Sequence, residues 1–350
     1  MINKMKAAVF KDIENIVVEE IPVPECPEEG VLVKVISCGI CGSDVRNYSS
    51  GLRDNIKNQI IGHEIGGIIE EVGGRVKNYK VRDRLAIAPD ISCGECIYCR
   101  MNFPNLCANH KMIGAHFPGG FAQYIPLTKE ILQKGIVHKM PENISYDEAA
   151  LSEPLSSVVA CQERVNVSLG DNVAIIGDGP IGCLHASLAR ARGASKIIVV
   201  GLLRLKELEK FDIDYVIDAG RQDPVEEVLK FTSGKGVNIA IVANPVASTQ
   251  EQAVEMVRKR GQVVIFGGVS EQNPFTNLNS NIIHYNELSV IGSFSYHPEH
   301  HRKALEYISQ KKIDSKKFIN LSLPLEKIVE GILAAREGKA LKVVIHPWDK

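Results

Sequence analysis

Three features are missing from this sequence of 350 residues. There is no charge surplus: 41 Lys and Arg face 42 Asp and Glu, a formal net charge of -1. That removes any global attraction for nucleic acid or anionic lipid and favours a small molecule as partner. There is no stretch of about 18 apolar residues to span a bilayer, and the first ten residues lack the apolar centre of a secretory leader. A cytoplasmic protein is expected, with no membrane partner. Repeats and low-complexity segments are absent too, and 45% hydrophobic with 24% charged residues exclude a disordered or fibrous class.

What is present is enough chain for two cores, since single cores stop growing at roughly 250–300 residues. Before about residue 150 the apolar runs are short and cut by Gly and Pro, as in Val31–Ile36, Ile65–Val72 and Leu85–Ala88, which reads as an all-β portion. From Asn172 brief Val/Ile runs alternate with helical segments, predicting parallel strands joined by crossover helices. Six such runs occur, Val173–Ile176, Ile197–Val200, Tyr215–Ile217, Ile239–Val242, Val263–Phe266 and Leu288–Ile291, enough for a doubly wound sheet. Helices are predicted over Pro180–Arg192, Pro224–Phe231 and Ser248–Arg260 from apolar residues at three-to-four spacing. After Ile291 the pattern predicts helices from His297 to about Gln310 and near Leu325–Arg336, then a strand Leu341–His346.

Gly177-Asp178-Gly179-Pro180-Ile181-Gly182 matches G-x-G-x-x-G between a predicted strand and a predicted helix, the context this dinucleotide motif requires. Gly177 allows the tight turn, Gly179 lets the backbone approach a pyrophosphate, and Gly182 lets helix pack on strand. Pro180 in the first helical turn gives up no needed donor. The end of the second strand, where a carboxylate usually binds the ribose hydroxyls of NAD, is Gly201. With Arg204 and Lys206 close behind to meet a 2′-phosphate, NADP is favoured over NAD.

Four of the nine cysteines crowd into Cys93, Cys96, Cys99 and Cys107. Four soft donors within fifteen residues suit a closed structural zinc site better than a disulfide pair or an iron–sulfur cluster. Gly94 and Pro104 help the chain fold back between them. Further ligand candidates stand in three separated segments: Cys38-Gly-Ile-Cys41-Gly-Ser43-Asp44, Gly62-His63-Glu64 and Ser152-Glu153-Pro154-Leu155.

Together with the opening Met5-Lys-Ala-Ala-Val, Gly119-Gly-Phe-Ala-Gln-Tyr124 and the tail Gly338-Lys-Ala-Leu-Lys-Val-Val, these segments resemble the zinc-containing medium-chain dehydrogenase/reductase superfamily, in its sorbitol/polyol and threonine dehydrogenase branch. The resemblance implies a GroES-like catalytic domain over 1–155, completed by 293–350, around an inserted doubly wound dinucleotide domain of the Rossmann type over 156–292. The active site would lie in the cleft between them. It also implies two zinc ions per chain, with Cys41 and His63 as catalytic ligands and Glu64 and Glu153 as carboxylates binding directly or through water; Cys38 is assigned to packing. Zinc lowers the pKa of bound water to about 7, and a bound alcohol should respond similarly, ready to give hydride to nicotinamide. Ser43 matches the hydroxyl that takes the substrate proton. Where relatives carry a relay His this chain has Arg46, which cannot pass protons and would bind cofactor or an anionic substrate group instead. Asp44 either orients a ligand or makes a plain structural hydrogen bond.

The expected reaction is hydride transfer between a secondary alcohol, first a polyol, and NAD(P), with alcohol and ketone as the small-molecule partners. Threonine is the alternative substrate. The rival of another class is a zinc-stabilised nucleotide-binding protein without turnover. His297, His300 and His301 open a helix and are expected to be solvated. The apolar run Leu288–Phe294 could pair strands across a two-fold axis, giving a homodimer or homotetramer.

Overall fold

The computed structural model describes residues 4–349, so the ends of the expected domain ranges, 1–3 and 350, lie outside the described residues. The chain divides into two units: residues up to Ser156 together with those from Tyr296 onward, and Ser157–Ser295 between them. These borders fall one and three residues beyond the expected 155 and 292.

In the first unit one sheet is built from strands before residue 140 and strands after residue 318. The strand Lys342–His346 pairs in parallel with Ile319–Pro324 and antiparallel with Val31–Gly39, which continues into Glu64–Val72 and Arg84–Ile91. Phe10, Ile65, Ile69, Leu85, Ile87 and Phe121 pack into a core with the buried Val343 and Ile345 of the C-terminal strand. The pairing places Gly39 opposite both Glu64 and Val344, so that segments far apart in sequence meet at one end of the sheet.

The regular structure before residue 150 is mostly strand, as expected, but not all-β: helices Gly42–Ser50, Ile97–Arg100 and Lys129–Lys134 lie there and a fourth, Tyr146–Arg164, begins there. Gly42–Ser50 buries only Asp44 and Tyr48 and so shows no apolar stripe to detect. The long helix contains Pro154, normally a helix breaker, while Ala149, Ala150, Leu151, Leu155, Val158 and Val159 are all buried, blurring the period.

The second unit is a six-stranded parallel sheet. Its strands, in chain order Asn172–Ile176, Lys196–Gly201, Tyr215–Asp218, Val237–Val242, Val257–Ile265 and Ser289–Gly292, lie in the spatial order third, second, first, fourth, fifth, sixth, the dinucleotide-binding arrangement. Helices Pro180–Ala191 and Pro224–Phe231 stand as expected. The helix predicted over Ser248–Arg260 is shorter, Ala247–Met256, and the chain turns extended at Val257. Val257 pairs with Val237, so its apolar side chain continues the helical spacing while belonging to a strand.

Candidate active site

Cys41 is the N-cap of helix Gly42–Ser50, and its backbone N–H donates to Asp44 Oδ2 at 2.9 Å. Asp44 is buried and its other oxygen stands 3.6 Å from His63 Nδ1. One carboxylate therefore holds the Cys41 backbone and faces the His63 ring, so the two alternatives considered for Asp44 are combined. His63 reaches this place through Gly62, whose φ of +93° favours glycine. A Cβ there would lie 2.8 Å from the Phe121 ring. Burial opposes protonation of His63, but the charges of Asp44 and Cys41 outweigh it and raise its pKa well above the ordinary value.

Glu64 opens the next strand and is fully buried. One ligand atom each from Cys41, His63 and Glu64 lies within 4.8 Å of the others, a sulfur, nitrogen and oxygen set that fits zinc with a coordination place to spare. The Lys342 ammonium forms a close ion pair with Glu64 and donates to Ile40 O at 3.1 Å. Glu64 lifts the Lys342 pKa against the opposing effect of burial.

Glu153, inside helix Tyr146–Arg164, falls outside that three-residue grouping. Its Oε1 accepts a hydrogen bond from the buried Tyr296 hydroxyl at 2.6 Å. Burial pushes its pKa up to about 7 against the pull of His63. Cys38 is buried, 3.0 Å from the Cβ position of Gly62 and 2.9 Å from that of Gly120, as packing requires. Ser43 is half-buried and Arg46 exposed on helix Gly42–Ser50.

Lys342 and Tyr296 were missed by sequence reasoning. Lys342 left a signal, one cation in an otherwise apolar strand beginning. Tyr296 left none, because its partner is 143 residues away.

The expected solvation of His301 is corrected. It is fully buried, with Nδ1 2.9 Å from His138 Nδ1 and Nε2 3.0 Å from Ser152 Oγ. His297 and His300 are half-buried, and these histidines form no metal-binding group among the described residues.

Cys93, Cys96, Cys99 and Cys107 bring their sulfurs within 4.8 Å of one another. Backbone N–H groups of Cys93 and Cys96 point at the sulfurs of Cys107 and Cys93, at 3.2 and 3.3 Å. Four thiols so converged, with Gly94 at φ +79° turning the chain, fit a closed tetrahedral zinc. Ile97, Met101 and Leu106 are exposed, so the lobe is short of apolar packing and the sulfur cluster must hold its shape.

In the second unit Gly177 has φ +137°, and helix Pro180–Ala191 begins at Pro180 after the Gly179 N-cap. A Cβ on Gly179 would meet nothing nearer than Arg204 Nη1 at 3.9 Å, so the backbone is open to a ligand at a helix N-terminus, which fits a pyrophosphate. Ile181, half-buried, follows in the first turn. A Cβ on Gly182 would lie 1.9 Å from Gly177 O. Gly182→Ala is therefore expected to cost about 1–3 kcal/mol in urea unfolding and to weaken dinucleotide binding; unchanged stability and affinity would show that this packing is not tight.

Gly201 ends its strand as expected, but the carboxylate thought absent there arrives from the Gly-rich turn. Asp178 Oδ2 accepts from the N–H groups of Leu202, Leu203 and Arg204 at 2.8, 2.6 and 2.6 Å. Among the described residues no helix is long and apolar enough to cross a membrane.

Comparison with known proteins agrees with both units. Residues 27–142 match the alcohol dehydrogenase GroES-like domain and residues 180–310 the zinc-binding dehydrogenase family. Sorbitol dehydrogenase of Bacillus subtilis (strain 168) is 35% identical, covering 98% of this chain and 97% of its own. L-threonine 3-dehydrogenase of the same organism is 30% identical over 98% and 99%. A zinc-binding dehydrogenase from Sinorhizobium meliloti 1021, solved bound to NADP, superposes with a TM-score of 0.89 at 30% identity, covering 98% of this chain and 99% of that one. This chain belongs to the zinc-containing medium-chain dehydrogenase/reductase superfamily, the alcohol dehydrogenases.

Proposed function

We propose that this protein oxidises secondary alcohols, polyols first, and reduces the corresponding ketones, using one catalytic zinc, one structural zinc and NAD(P). The observation that carries this reading is the convergence of Cys41, His63 and Glu64 at one place, while Glu153, outside that grouping, feels the charges of His63 and Glu64. A protein that only bound nucleotide would have no physical need of an open-sided donor set. The similarity to sorbitol dehydrogenase at 35% identity favours a polyol. The similarity to L-threonine 3-dehydrogenase keeps threonine as the second substrate class.

When bound, zinc supplies a positive charge that acidifies a substrate hydroxyl and polarises a ketone, and nicotinamide takes or returns the hydride. The chain's own residues do the rest. Asp44 faces Nδ1 of His63, which leaves Nε2 as the atom that would bind zinc once the metal displaces its proton. Glu64 would offer zinc an oxygen, while Lys342 balances its charge. Tyr296 holds one oxygen of Glu153 by its hydrogen bond. Ser43, at the start of its helix, takes the hydroxyl proton while releasing its own toward solvent water. Arg46 stays charged and binds an anionic group of cofactor or substrate rather than continuing a relay.

The cofactor is held over Gly177–Gly182. Lys206 is the cation that would favour NADP, and Asp178 is the group that would oppose it. A cytoplasmic location agrees with nine free cysteines. Ser289–Gly292 is the outer strand of its sheet, and pairing along it would make the homodimer or homotetramer.

The test is steady-state assay of zinc-replete protein against polyols, threonine and simple secondary alcohols, with NAD and NADP in parallel. Turnover of a polyol at a kcat/KM at least tenfold above threonine is expected. A preference for threonine would transfer the reading to amino alcohols, and inactivity on every substrate would favour the non-enzymatic rival.

A further inference from the structure

The second strand of a dinucleotide-binding sheet commonly ends in an acidic residue that binds the adenosine ribose. Here Gly201 occupies that position, and its missing side chain makes room for another residue. A Cβ built on Gly201 would lie 2.9 Å from Asp178 Cβ and 3.1 Å from Asp178 Oδ2. The carboxylate of the Gly-rich turn therefore stands where a side chain of the strand end would begin. Asp178 is 8% exposed, and its Oδ2 takes all three successive N–H groups of Leu202, Leu203 and Arg204. Three charge-assisted hydrogen bonds from one loop hold that charge in place.

Resting on the reading of the Gly177–Gly182 turn as a nicotinamide dinucleotide site, we infer that Asp178 determines cofactor specificity, taking over from the strand end the carboxylate that selects NAD against NADP. Two effects work together. A 2′-phosphate brought to this strand end meets a fixed negative charge, whereas the 2′-hydroxyl of NAD is a donor that a carboxylate accepts. The three loop N–H groups, which could otherwise bind a phosphate as a backbone nest, are already engaged by Asp178. Arg204 does not reverse this. Its guanidinium lies 3.9 Å from the Cβ position of Gly179, beside the turn that faces the pyrophosphate, a group common to both cofactors. On this inference the preference for NADP expected from Gly201, Arg204 and Lys206 gives way to one for NAD: the glycine is the space that Asp178 needs.

Equilibrium titration of the full-length, zinc-replete protein with NADH and NADPH, followed by calorimetry, tests the inference without turnover. The wild type is expected to bind NADH at least tenfold more tightly than NADPH. Asp178→Asn, which keeps shape and an acceptor oxygen but removes the charge, is expected to shrink that ratio at least tenfold. Arg204→Ala is expected to weaken both cofactors alike, leaving the ratio within about twofold. Tighter NADPH binding by the wild type overturns the inference even if Asp178→Asn fails to fold. So does a ratio unchanged in Asp178→Asn, or a loss confined to NADPH in Arg204→Ala. Failure of the wild type to bind either cofactor overturns the dinucleotide reading itself and this inference with it.

Discussion

Replacing His63 by alanine is expected to lower alcohol-oxidising turnover by on the order of a thousandfold or more, while zinc content falls from two ions per chain to one and dinucleotide affinity stays unchanged. The magnitude follows from the chemistry assigned to the site. Zinc lowers the pKa of bound water to about 7, an effect worth roughly 12 kcal/mol, and a bound alcohol should respond similarly. A thousandfold loss corresponds to about 4 kcal/mol, a third of that, so it requires only that the ion be lost or misplaced. His63 is one of three converging donors, and its removal also leaves Asp44 without the ring it faces at 3.6 Å. Metal analysis by mass spectrometry beside kcat gives the result. Turnover within tenfold of the wild type, or two zinc ions still bound, would remove His63 from the reaction.

Lys342→Met should be the most damaging single change to stability outside the hydrophobic core. Lys342 is 4% exposed and Glu64 0%, so the ammonium is the counter-charge of a fully buried carboxylate. Removing one partner of a buried ion pair costs about 3–5 kcal/mol, because the other charge is left uncompensated. Urea unfolding of the metal-free protein should show that loss. The double variant Lys342→Met, Glu64→Gln should recover a substantial part of it, since no bare charge then remains. A loss under about 1 kcal/mol in the single variant, or no recovery in the double, would show that the pair does not carry the charge balance. Zinc should lessen the damage, because a cation beside Glu64 replaces the missing one.

Much of the molecule was legible in the residues themselves. The four-cysteine spacing, the Gly-rich turn and the alternation of strands and helices each act over a few residues: a φ of +137° at Gly177 or sulfurs three residues apart need little help from distant chain. Helix Pro224–Phe231 emerged at its predicted ends because Asp223 caps it, its side chain accepting from Val225 and Glu226 N–H, and Pro224 starts it. The elements that escaped lacked such local marks. Helix Gly42–Ser50 has no apolar stripe, and Pro154 disguised the helix that carries Glu153.

By itself the sequence determined the class of protein: two zinc-type donor sets, a dinucleotide turn, and the parallel sheet that presents it. Only the tertiary structure decided which charge faces which. Lys342 against Glu64, Tyr296 against Glu153, and Asp178 in the space left by Gly201 all join residues separated in the chain. Electrostatics acts through space and depends on burial, whereas sequence patterns report order along the chain, so partners brought together only by packing leave no mark in spacing.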